Sequence, residues 1–300
     1  MKKITVAVAA YNAENNIGKL VRSLVSQVHE VYMLDKILVY SDKSADSTVK
    51  LASEISKKVT VFDAPVNLGF AAVTKKIISS TKSDILVLLN DDIVITNNRF
   101  IQKLVDPFES RSNVGFVSAK CVPFEATNII QSGINSTYHA FDKMRNNMDN
   151  KNNKFTCDGK VMAFSKAFMK KIKFPKQLSE MGNVDAFMYF ETLRNNMKYI
   201  YVRDTVVYYK NPTSIIEYIK WTSRNNSNKY ILKKRFGDIV KIEYRAPKSL
   251  IYYKLIEFVK NPFASAFVYI IGIYAKLKAM GVAKNFNPKW EVITSTKHIN

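Results

Sequence analysis

Cysteine, histidine and glycine are all scarce in this 300-residue chain, and each shortage excludes a class of protein. Two cysteines, Cys121 and Cys157, cannot build a disulfide framework, and their separation fits no compact metal motif. Three scattered histidines, His29, His139 and His298, offer no zinc site of the His-Glu-x-x-His type. Nine glycines leave little for a phosphate-cradling loop, and the Gly-x-Gly-x-x-Gly of a nicotinamide dehydrogenase is missing. Long apolar runs are missing too. The richest stretch, residues 263–275, has 13 residues, against about 20 needed to span a bilayer.

Acid is short relative to base. With 46 Lys+Arg against 25 Asp+Glu the formal net charge is +21, which favours nucleic acid, an anionic membrane surface or a phosphorylated substrate. More than half of that excess lies in residues 209–300, where 17 basic residues face 5 acidic ones. The remaining composition, 47% apolar and 24% charged, is that of a globular protein, and the length suggests about two domains. Residues 1–15 carry two lysines and an apolar run at 4–10, at the short limit for a secretory signal and followed at once by polar sequence. The run reads better as a buried strand, and the expectation is a cytoplasmic protein, with peripheral contact at the inner face of the membrane left open.

The first 105 residues alternate strand and helix signals. Residues 4–10, 36–40, 59–62 and 85–89 read as strands, and 13–28, 47–56 and 70–80 as helices. This alternation predicts a parallel sheet with helices on both faces, whose ligands sit at the carboxyl ends of the strands. Beyond Phe116 the pattern loosens, and the Asn/Lys-rich residues 142–154 read as a mobile loop. Order returns at 161–168, at a helix over 184–194 and at a strand over 199–208. Residues 210–300 read as a basic, amphipathic helical extension punctuated by Pro212, Pro247, Pro262 and Pro288.

Three strand ends deliver polar groups to one sheet edge: Ala9-Ala10-Tyr11-Asn12, Tyr40-Ser41-Asp42 and Leu89-Asn90-Asp91-Asp92. Asp46 and Ser47 are accounted for as helix caps. Capping does not account for Asp91-Asp92, set between two apolar runs. Adjacent carboxylates repel unless a cation is near, and hard oxygen ligands suit Mg²⁺ or Mn²⁺ shared with phosphate oxygens and water; a solvated turn is the alternative.

The runs VAVAAYNAENNIGKLVRSLVSQ, ILVYSDKSADSTVKLA, NLGFAAVTKK and DILVLLNDDIVI, in this order, resemble the family 2 glycosyltransferases of the GT-A fold. The resemblance is good over residues 4–95 and thinner to 209. It implies an α/β, Rossmann-like fold with a mostly parallel central sheet flanked by helices, followed by the helical C-terminal extension. Residues 1–209 would be the catalytic domain, with a nucleotide-sugar half over 1–105 and an acceptor half over 106–209. By the same resemblance Ala9 and Tyr11 line the base pocket and Asp42 accepts a hydrogen bond from a UDP- or GDP-type nucleobase. Asn67 and Gly69 shape the loop beside the diphosphate, Asn90 belongs to the donor corner, Asp91 faces the ribose, and Asp92 binds the Mn²⁺ or Mg²⁺. Where the family often shows Ala-Arg-Asn stand Val73-Thr74-Lys75, so Lys75 or Lys76 is expected to supply the positive charge.

Inverting transfer also needs a carboxylate to take the acceptor hydroxyl's proton. The run GNVDAFMYFETLRNNMKYIYVRDTVVYY is similar to the family's base segment and puts Asp185 at the base, with Tyr209 where a histidine often helps hold the metal. Metal coordination would then rest on Asp92, diphosphate and water. Asp185 also suits a helix N-terminus as a plain acid, and Glu191 is its rival as base. Asp158 and Gly159 resemble the segment that closes on sugar and acceptor, while Cys157 reads as packing. Trp221-Thr222-Ser223-Arg224 is loosely similar to a segment that closes the site in membrane relatives, making Arg224 a candidate phosphate contact.

Residues 250–280 mix aromatics and aliphatics with Lys254, Lys260, Lys276 and Lys278. They read either as a core-facing helix pair or as helices lying on an anionic membrane, suited to a glycan or lipid-linked acceptor. A nucleotidyltransferase would also use sheet, metal and nucleotide, but its glycine-rich opening loop is absent. A nucleic-acid binder fits the charge without a recognised motif and leaves Asp91-Asp92 unexplained, so no nucleic-acid partner is expected.

Overall fold

A computed structural model describes residues 1–149, 151–284 and 293–299. The chain opens with β1 (Lys2–Ala10), α1 (Glu14–Val25), β2 (Tyr32–Ser41), α2 (Thr48–Ser53), β3 (Val59–Asp63), α3 (Phe70–Ser80) and β4 (Ile85–Asn90). It continues with β5 (Ile93–Val94), α4 (Phe100–Val105), α5 (Pro107–Ser110), β6 (Val114–Pro123), α6 (Ile129–Asn146), β7 (Val161–Ser165), α7 (Lys166–Lys171), α8 (Val184–Arg194) and β8 (Lys198–Tyr209). Four further helices follow: α9 (Ile215–Phe236), α10 (Ile239–Glu243), α11 (Ser249–Lys260) and α12 (Pro262–Lys284).

The strands form one sheet in the order β3-β2-β1-β4-β7-β6-β8-β5. β1, β2, β3 and β4 pair in parallel, as do β6 and β8, while β7 runs antiparallel between β4 and β6. Burial on both faces explains why residues 4–10 show no polar alternation. On one face Val6 and Val8 pack with Ile17, Leu20 and Leu24 of α1. On the other, Ala7 and Ala9 pack with Val73 and Ile77 of α3 and Phe187 and Phe190 of α8. Helices α3 and α8 occupy the residues expected to be helical. β6 was not anticipated; its residues are nearly all buried inside the sheet.

The expected loop at 142–154 is corrected at its two ends. Residues 142–146 are the last turn of α6, and Lys154 opens a short 3₁₀ turn capped by Asn153. No local apolar period shows this because the stabilising partner is remote: Met144 packs with Leu250 of α11, and Lys143 pairs with Glu257 at 2.6 Å.

The C-terminal helices are fastened to the sheet domain rather than appended to it. Leu232 of α9 enters the core beside α8, and α12 lies against both α9 and α6. Gly133 permits the last contact, since a Cβ there would stand 2.2 Å from the Ala264 carbonyl oxygen and 2.4 Å from Val268 Cγ2. Among the described residues no helix is long and apolar enough to cross a membrane. Gly133→Ala should force α6 and α12 apart and lower stability by about 1–3 kcal/mol, read as a lower denaturation midpoint; an unchanged midpoint would contradict this packing.

Candidate functional site

Parallel pairing sets the carboxyl ends of β1, β2 and β4 side by side, with Ala9 in register with both Tyr40 and Asn90. The corner after β4 is then locked from beneath. Asn16 Nδ2 donates to the carbonyls of Asp91 (2.6 Å) and Ile93 (3.0 Å), and the Tyr11 N–H donates to Asp91 Oδ2 at 2.8 Å. Asp91 is only 1% exposed, and burial pushes its carboxyl above the ordinary value against the pull of the Lys297 ammonium. Asp92 behaves differently. Its Oδ1, like Oδ1 of Asn90, is buried with no hydrogen-bond partner. Two unspent hard oxygens at one strand exit suit Mg²⁺ or Mn²⁺. No three His, Cys, Asp or Glu side chains among the described residues converge on a metal site. A cation held here would therefore draw on Asp92 and Asn90 from the chain and complete its shell elsewhere.

Two cavities meet at this corner. The smaller, about 110 Å³, is lined by Asp91, Asp92, Tyr209, Lys210, Thr296 and Lys297. The larger, about 380 Å³, is lined by Lys154, Asp158, Gly159, Asp185, Asn228 and Tyr244. Asn90, Lys160, Trp221 and Arg224 border both. Lys160 thus stands at their junction, its ammonium 4.2 Å above the Tyr209 ring and 3.9 Å from Asp158 Oδ1. Burial would lower its pKa, but the carboxylates of Asp158 and Asp92 outweigh that and raise it, so Lys160 stays charged. Asp158 titrates below its ordinary value although burial opposes this, because the Lys160 ammonium and backbone N–H both favour its carboxylate.

In the larger cavity Asp185 sits in the first turn of α8 with Lys154 Nζ at 3.6 Å. Burial disfavours the Lys154 ammonium, yet Tyr244 and Asp185 facing it raise its pKa. Gly159 lies against Asp185, since a Cβ there would be 3.4 Å from the Asp185 Cβ. Burial pushes the Cys157 thiol up, and its Sγ donates to the Asp185 carbonyl, so packing is its role.

Several expectations meet a different geometry. Glu191 is fully buried, bonded to Arg194 (2.6 Å), Arg235 and the Lys173 N–H, and lines neither cavity; ion pairs and the backbone occupy both its oxygens. Lys75 is exposed on α3 with its ammonium 5.7 Å from the Phe174 ring, so it brings no charge to either cavity. Asp42 is also fully buried, and its two oxygens accept the N–H groups of Leu68 and Gly69 at 2.7 Å each. It braces the Asn67–Gly69 turn, in which Gly69 adopts φ +85°. Ala9 is buried beneath the corner, and Tyr11 meets it through backbone groups.

The residues not anticipated are cations. Lys160 adjoins the Asp158-Gly159 segment and was legible by proximity alone. Lys297 had no signal: its Nζ crosses 206 positions to Asp91 Oδ2 at 2.6 Å and also donates to the Tyr11 carbonyl at 2.5 Å. The segment bearing it is tied down by Lys210 Nζ on the His298 carbonyl and by the Ser295 N–H on Glu217.

Comparison with known proteins places this geometry. A solved glucosyl-3-phosphoglycerate synthase from Mycobacterium tuberculosis, in complex with Mn²⁺, UDP and phosphoglyceric acid, superposes with a TM-score of 0.57 at 16% identity over 79% of each chain. A mannosyltransferase from Pyrobaculum calidifontis, in complex with GDP-mannose and Mn²⁺, gives 0.58 at 17% identity, covering 95% of this chain and 75% of that one. At such identities the likeness concerns the fold. In sequence, a glucosyl-3-phosphoglycerate synthase from Petrotoga mobilis is 31% identical over 123 residues, 39% of this chain and 38% of the relative's length. The profile of glycosyl transferase family 2 matches residues 5–172, more than half of the chain, and the protein belongs to that family.

Proposed function

We propose that this protein is an inverting, metal-dependent glycosyltransferase that moves a sugar from a UDP- or GDP-type nucleotide sugar to a hydroxyl of a glycan or lipid-linked acceptor. The observation that supports this best is the meeting of two cavities at Asn90, Lys160 and Arg224, with Asp92 in one and Asp185 in the other. Displacement at an anomeric carbon needs such an arrangement, with attacker and departing diphosphate on opposite sides of the sugar. The donors and Mn²⁺ or Mg²⁺ named in the complexes of the structural relatives are consistent with it.

Asp185 takes the proton of the acceptor hydroxyl as the new bond forms, with Lys154 holding its carboxylate in place. Asp92 and Asn90 would hold the divalent cation, which when bound would supply positive charge to the leaving diphosphate. Lys160 and Arg224 add fixed cations at the junction, where negative charge grows as the sugar departs. Asp158 and Gly159 face the sugar and acceptor from the strand side. Tyr209 replaces the expected histidine by carrying Lys160 on its ring face. Residues 1–209 form the catalytic unit in this reading, closed over the donor by the segment bearing Lys297.

A nucleotidyltransferase would release pyrophosphate, whereas this reading requires release of a nucleoside diphosphate. Asp185→Asn should keep donor affinity by calorimetry while turnover falls by about 10²–10⁴; undiminished turnover would remove Asp185 from the reaction. Lys160→Met should lower kcat by about 10²–10³ with a smaller change in donor affinity. A kcat equal to that of the unaltered protein would show that the junction cation plays no part.

A further inference from the structure

The helix pair at the C-terminus turns one side inward and leaves the other apolar and open. Leu250 of α11 and Ala264, Val268 and Ala275 of α12 are buried against the body of the protein. On the outer side, Ile251, Leu255 and Val259 of α11 and Phe263, Ile270 and Leu277 of α12 are 60–83% exposed. Their spacings, four residues on α11 and seven on α12, line each set along one side of its helix. The two helices lie beside each other, with the rings of Phe258 and Tyr269 stacked at 6.3 Å. Monomeric proteins rarely expose contiguous apolar patches larger than a few hundred Å².

Charge decides what this surface fits. Between residues 244 and 284 the sequence holds a single acidic residue, Glu257. It is buried and paired with Lys143 and Lys260. Lys248, Lys260, Lys276 and Lys278 are exposed. Among the described residues of α11 and α12, the outer side therefore offers apolar and cationic groups and no exposed carboxylate. A second copy of the chain docked symmetrically would set like charges against like. A lipid surface with anionic headgroups satisfies both features, taking the apolar side chains into the acyl boundary and the lysines at the phosphates. Burial of the opposite side against α6 and α9 means that the pair lies flat instead of crossing.

We propose that the outer side of α11 and α12 is a docking surface for an anionic lipid bilayer. Because α12 packs along α9, which carries Trp221 and Arg224 to the cavity edge, docking joins the membrane-facing helix to the wall of the larger cavity. This consequence, which rests on the glycosyltransferase reading, fits an acceptor presented from the membrane.

The test is co-sedimentation of the full chain with phosphatidylcholine vesicles, alone or with about 30% phosphatidylglycerol. The expected result is binding to the anionic vesicles at about 0.05 M salt that weakens towards about 0.5 M. Lys276→Gln and Lys278→Gln should each lower partitioning about fivefold. Leu255→Asp with Ile270→Asp should abolish binding while the denaturation midpoint and donor affinity stay unchanged, which separates this proposal from the assignment of the active site. Absence of binding at low salt, equal binding to neutral vesicles, or a dimer that the Asp substitutions dissolve without changing vesicle binding would overturn it.

Discussion

The site depends on how one pair of adjacent carboxylates is divided at the exit of β4. Asp91 is turned into the protein, where the Tyr11 N–H and the Lys297 ammonium hold it, while Asn16 clamps the backbone on either side of Asp92. A buried carboxylate without such partners would be costly, and breaking a buried pair by removing one member typically costs about 3–5 kcal/mol. With Asp91 held by these bonds, Asp92 keeps an unbonded oxygen at the same strand exit as that of Asn90. Asp91 fixes the corner, and in the proposed reading Asp92 is the one left for chemistry.

Opposite charges are then layered around that corner. Lys160, held on the Tyr209 ring and drawn by Asp158 and Asp92, stays charged despite burial. Lys154 and Asp185 form a second pair across the larger cavity. β8 makes this possible: its last residue, Tyr209, pairs with Ile93 just past Asp92, so its ring is delivered to the corner by sheet register. The basic extension has two jobs in the same frame. Its α9 walls the larger cavity with Trp221 and Arg224, and its last described segment brings Lys297 to Asp91.

Much of this was legible in the sequence wherever local pattern and tertiary packing agree. β1, α3 and α8 could be placed because burial on both sheet faces erases polar alternation in the strand, gives α3 an apolar side, and leaves α8 a continuous apolar run buried nearly all round. The carboxylates at strand ends were visible because capping does not explain Asp91-Asp92, although a solvated turn stayed open until the fold showed Asp91 buried. What could not be read depended on distant partners. The end of α6 is helical because α11 covers it, Glu191 is buried because Arg235 reaches it, and Asp42 is occupied by a turn 26 residues away. Lys75 had the right charge at the right place in the pattern, but the helix turns it outward to Phe174. Lys297 is the extreme case, since only the folded chain sets it against Asp91.

The most direct measurement is anomalous diffraction from a crystal soaked with Mn²⁺ and UDP. This account predicts a manganese peak at coordination distance from the Asp92 carboxylate, with UDP bound at the same corner and Asp91 still bonded to Lys297. A manganese and diphosphate bound elsewhere, with Asp92 facing solvent, would contradict it.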